Sequence, residues 1–120
     1  MITRERLNAI RPLRRMVSRA KRKTAEIQCQ IDFNGDSPKL QSILAERKEA
    51  EETAVIEYEK TLSEIESEIR EVPDLIVREI MLYRYADFMS WGQIAGRMYM
   101  SPSACRMILT RWLDKNCPRK

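Results

Sequence analysis

The chain has 120 residues, with 22 Lys or Arg against 18 Asp or Glu, three Gly, five Pro, three Cys and no His. Without histidine the Ser-His and Cys-His nucleophile systems are excluded, and the scattered Cys29, Cys105 and Cys117 leave a zinc site without its usual donors. No apolar run approaches the roughly 20 residues that span a bilayer, and the N-terminal stretch lacks the apolar core of a signal peptide, so a cytoplasmic protein without cofactor, metal or enzymatic chemistry is expected.

The first predicted element runs from about Arg4 to Ile31. Ile10, Leu13, Val17, Ala20, Thr24, Ile27 and Ile31 recur in alternating steps of three and four, a heptad seam. Pro12 lacks an amide donor and crowds the preceding turn, so the helix is expected to begin at about Arg11 or to kink there. Asn34-Gly35 then signals a turn, and Ser37-Pro38 a helix start, with serine as N-cap and proline in the first helical position.

The second helix is predicted from Pro38 to about Glu71. Its seam is Leu40, Leu44, Arg47, Glu51, Ala54, Tyr58, Leu62, Ile65, Ile69 and Val72, apolar apart from Arg47 and Glu51. A short link between two long helices makes them antiparallel neighbours. Ile2, Leu7, Ile43, Val55 and Ile56 fall off the seams, so the hairpin is expected to pair with a second copy as a four-helix bundle. Val72-Pro73-Asp74 ends the second helix. Asp74 caps a compact third one to about Ala86, with Leu75, Ile76, Ile80, Met81, Tyr83 and Tyr85 as its apolar set.

Charge is segregated along these elements. Residues 1–23 carry nine basic side chains against one acid, residues 24–79 six against fifteen, and residues 80–120 seven against two. Basic ends around an acidic middle suggest a nucleic-acid partner, internal charge pairing, or both. The bland reading of Arg11 to Lys23 and of Glu46 to Glu52 is a solvated helix face.

The last stretch, Ser90 to Leu113, reads as two short helices joined by a tight turn. Ser90 and Gln93 have the spacing of a capping box, and Ser101-Pro102 repeats the start seen at Ser37-Pro38. Ile94 and Met98 share a face, and the small Ala95 lets the next helix approach. Cys105, Ile108, Leu109 and Trp112 form a buried stripe; Trp91 and Trp112 read as packing residues. The opposite face presents Ser103, Ala104, Arg106, Met107, Thr110 and Arg111. This is the layout of a helix-turn-helix whose second helix, from about Pro102 to Lys115, enters the major groove of DNA. Those six are the candidate base-contacting residues, since an arginine can pair with guanine through two hydrogen bonds. Ser101, Arg97 and Lys115 are the candidate phosphate contacts, with Arg119 and Lys120 as further ones.

The sequence of Arg84-Tyr85, Ser90-Trp91, Ile94-Ala95 and Ser101 resembles the C-terminal motif of phage and prophage regulators of the ArpU-like group and related uncharacterised phage families. It is also similar to region 4 of bacterial sigma factors. Tyr99 stands where glycine is common in the turn, so it either avoids a positive φ or tolerates one at a cost. The resemblance implies transcription regulation of phage genes.

The combined expectation is an all-α protein. A coiled-coil-like antiparallel hairpin (residues 1–72) supports or dimerises a helix-turn-helix of sigma region 4 type (residues 73–120). The partners expected are double-stranded DNA, a second copy of the chain and RNA polymerase. The alternatives are a DNA-packaging or assembly factor resembling a phage small terminase, and a coiled-coil adaptor to RNA polymerase.

Overall fold

A computed structural model of the chain describes residues 2–117, and every regular element in it is helical. α1 spans Arg4–Asn34, α2 Pro38–Arg70, α3 Leu75–Met81, α4 Trp91–Met98 and α5 Pro102–Asn116. α1 and α2 pack against each other as a hairpin. No described helix is long and apolar enough to cross a membrane.

The ends of these helices follow local chemistry. The Gly35 amide donates to the Ile31 carbonyl at 2.9 Å, with Gly35 at φ +83°, a conformation that glycine adopts without a Cβ penalty. Ser37 Oγ accepts from the Leu40 amide at 3.1 Å. Asp74 accepts from the Ile76 and Val77 amides. Arg78 bridges the Pro73 break by donating twice to the Val72 carbonyl, at 3.0 and 2.7 Å.

Contacts divide the chain into two compact units, each with its own packing. Residues Ile10–Thr61 form one; those up to Ala9 join those from Leu62 onward in the other. The division therefore falls about ten residues before the boundary at residue 72 read from the sequence, and it assigns the first turns of α1 to the C-terminal helices.

In the Ile10–Thr61 unit the predicted seams describe the burial. Between Leu13 and Ile31 of α1, the half-buried positions are the seam residues Leu13, Val17, Ala20, Thr24, Ile27 and Ile31. On α2, Leu44 is buried, and the seam residues Leu40, Arg47, Glu51, Ala54 and Tyr58 are half-buried, as are Ile43 and Val55 beside the seam. Two helices touch along one line only, so most of this seam keeps partial solvent access.

The other unit holds a denser core. Ile2 and Leu7 are buried there with Ile65 and Ile69 near the end of α2, Val72 in the link that follows, Val77, Ile80 and Met81 on α3, and residues of α4 and α5. Two expectations are corrected by this. The helix does not begin at about Arg11, the first of the two outcomes expected at Pro12: α1 starts at Arg4 and carries Pro12 inside it, with Leu7 of its first turns buried. Ile2 and Leu7 are also spent inside the chain and offer nothing to a second copy. Arg6 ties the first turns of α1 to α2, donating to Glu68 at 2.5 and 3.3 Å with Glu64 at 3.7 Å. The hydrogen bond to Glu68 raises the Arg6 pKa above its ordinary value.

After α3 the helix widens rather than continuing. Residues Leu82–Ala86 form a π turn, in which the Asp87 amide reaches back five residues to the Leu82 carbonyl at 3.0 Å. The expected apolar set is only partly used. Val77 is buried, whereas Leu75 and Ile76 are 66% and 45% exposed.

Candidate nucleic-acid interface

Helices α4 and α5 pack on each other, and α3 packs on α5. Their starts are set by hydroxyl caps. Ser90 Oγ accepts from the Gln93 amide at 3.2 Å while the Ser90 amide donates to Gln93 Oε1 at 2.9 Å, so both halves of the capping box are made. Ser101 Oγ accepts from the Ala104 amide at 3.1 Å, with Pro102 in the first turn. Replacing Ser90 by alanine leaves amides at the start of α4 unsatisfied, and is expected to cost about 0.5–2 kcal/mol of stability in a urea titration.

The turn between the helices is made by Tyr99 and Met100. Tyr99 lies in the left-handed region at φ 56°, ψ 40°, so the positive φ is tolerated and not avoided. Its side chain is 96% exposed and wins back nothing by packing. Left-handed geometry costs a non-glycine residue roughly 1–2 kcal/mol. Tyr99→Gly is therefore expected to raise the unfolding free energy by up to about 1 kcal/mol, the cost being partly offset by glycine's extra unfolded-state entropy. A lower urea midpoint for the variant would contradict this reading of the turn.

Ile94 and Ala95 on α4, and Cys105, Leu109 and Leu113 on α5, are buried, with Ile108 and Trp112 half-buried. Leu113, one residue past the predicted stripe, completes it. On the opposite side, Ser103, Arg106, Met107, Thr110 and Arg111 are exposed. Four of them, Ser103, Arg106, Met107 and Thr110, line one surface depression with Pro102. Arg111 lies outside that depression, and Ala104 is half-buried at the border of the face. Of the phosphate candidates, Ser101 is occupied as N-cap through its hydroxyl, and Arg97 and Lys115 are exposed. Arg119 and Lys120 lie outside the described residues.

Two features of this face were not legible in the sequence. The Arg106 guanidinium carbon sits 5.6 Å from the centre of the Trp91 ring, and that of Arg84 4.9 Å from it. Arg84 also donates to the Met89 carbonyl at 3.0 Å, which anchors one side of the stack. The indole thus holds Arg106 by cation–π attraction at the edge of the depression. The second feature is Asp114. It follows Ser103, Met107 and Thr110 at helical spacing, and so extends an acid along the same face. Arg4 pairs with it and donates to the Cys117 carbonyl at 3.2 Å. Cys117 Sγ in turn lies 3.4 Å from the Ile2 carbonyl. The end of α5 is therefore clasped by the start of the chain, and the charge of Asp114 is balanced locally.

Chemically, the face offers one preorganised guanidinium, two hydroxyls and a methionine thioether on a rigid helix. It presents hydrogen-bond donors beside an apolar contact on one exposed surface. The chain matches no known protein-family model, no curated protein and no solved structure.

Proposed function

We propose that the chain is a sequence-specific DNA-binding transcription regulator of the phage kind that its C-terminal motif resembles, acting in the cytoplasm. The helix from Pro102 to Lys115 reads the major groove. The observation that carries this reading is the convergence of Ser103, Arg106, Met107 and Thr110 on one exposed depression of a capped helix, whose other face is buried against α3 and α4. Arg106 supplies the two-pronged donor suited to guanine, and Met107 and the Thr110 methyl suit thymine C5-methyl groups. Arg97 and Lys115 take backbone phosphates. RNA polymerase is the second partner of a regulator built this way.

Selection of bound sequences from a random DNA pool by the purified chain tests the proposal. An enriched motif is the expected result, with affinity that falls steeply as salt rises because bound phosphates release counterions. Lys115→Ala should weaken binding to all sequences alike and lower the salt slope by about one. Absence of both enrichment and salt dependence would assign the chain to protein partners alone.

A further inference from the structure

The Ile10–Thr61 unit carries a face of its own, and the case for it does not depend on the DNA-binding reading. Two adjoining depressions on the hairpin share the same floor, Met16 of α1 with Ala50 and Ala54 of α2. Met16 is 54% exposed there. The depression on the α1 side is bordered by Arg19 and Lys23 of α1, and the half-buried seam residue Arg47 of α2 also lines it. The one on the α2 side is bordered by Glu46, Glu49 and Glu57. Among the described residues, none of these charges takes part in an ion pair within the chain. One face of the hairpin thus has an apolar centre, a basic bank along α1 and an acidic bank along α2. The seam beneath it is only half-buried.

We infer that this face is the contact surface for a second copy of the chain. Two identical hairpins can meet face to face about a twofold axis lying in the contact plane. With the axis across the helices, α1 covers α1, and basic bank meets basic bank. With the axis along the helices, α1 of each copy covers α2 of the other, and both basic banks meet acidic banks. Like charges facing each other penalise the first arrangement, so the charge pattern selects the second. Met16 and its mate then bury against the alanines, and burial of that apolar centre supplies the attraction. The charged rims set orientation more than strength. The product is a four-helix bundle in which each seam gains the second layer that a lone hairpin lacks. Ile56, 59% exposed, follows Thr53 by three positions and Glu49 by seven, so it flanks the acidic bank on the same side of α2.

Sedimentation equilibrium of the full chain over micromolar concentrations tests this. The parent is expected to be a dimer, and Met16→Glu a monomer of unchanged helical circular dichroism. The double reversal Arg19→Glu with Lys23→Glu should raise the dimer dissociation constant more than about tenfold. Adding Glu49→Lys and Glu57→Lys to the same chain should restore self-association, which a merely misfolded variant could not do. The fourfold variant should also refuse to pair with the parent, since each of its banks would then meet its like. A monomeric parent, a dimer indifferent to Met16→Glu, or a fourfold variant that prefers the parent over itself would each overturn the inference.

Discussion

Replacing Ile94 by alanine is expected to lower the unfolding free energy by about 2–5 kcal/mol, the range for truncating a fully enclosed aliphatic side chain. Ile94 has no solvent exposure and lies on α4, which packs on α5. Its loss removes transfer free energy and leaves a cavity that two short helices can close only by moving. A domain of ordinary stability holds about 5–15 kcal/mol in total, so this one change threatens the whole α3 to α5 assembly. Urea unfolding followed by circular dichroism measures the effect. Ile56→Ala serves as its control, because Ile56 is 59% exposed and should shift the midpoint little. A change for Ile94→Ala no larger than that of the control would mean that α4 and α5 do not share the core described above.

The second large effect is on binding. Arg106→Ala is expected to weaken the complex with the selected DNA sequence by about 1–3 kcal/mol and to relax discrimination at one position. The loss should appear as a difference between the selected and scrambled sequences at fixed salt. A loss shared equally by both would make Arg106 a phosphate contact. Arg106→Lys should not restore the discrimination, because an ammonium cannot donate two parallel bonds to one guanine edge. Trp91→Leu should give part of the same loss, since it frees the guanidinium that the indole holds; an exposed cation–π contact is worth about 0.5–1 kcal/mol. Parent-like affinity for Arg106→Ala would remove this residue from the interface.

These two residues also mark the limits of what consecutive residues encode. Ile94 was recognisable as core from its spacing to Met98 and the small Ala95 beside it. Arg106 was recognisable as exposed from its place opposite the Cys105, Leu109 and Trp112 stripe. Its pairing with Trp91, fifteen positions earlier, has no periodic signal. Neither does the salt bridge from Arg4 to Asp114 across the length of the chain. The same division explains the boundary of α1. Pro12 is a local signal for a helix start near Arg11 or for a kink. Burial of Leu7 against distant parts of the chain favours the earlier start at Arg4, and no window around Pro12 contains that information.

By itself the sequence determined the helical class, the two seams, the positions of the turns and the caps at Ser37, Asp74, Ser90 and Ser101. Each of these depends on residues within one or two turns of each other, where period, capping geometry and proline chemistry act directly. It also determined which side of α5 remains exposed. Tertiary structure alone decided that the first turns of α1 belong with the C-terminal helices, that the helix after α3 widens into a π turn, and that Tyr99 accepts a left-handed backbone. It likewise decided that Ser103, Arg106, Met107 and Thr110 share a depression which Arg111 does not reach. All of these depend on which surfaces meet, and burial against a remote segment can outweigh a local preference of one or two kcal/mol.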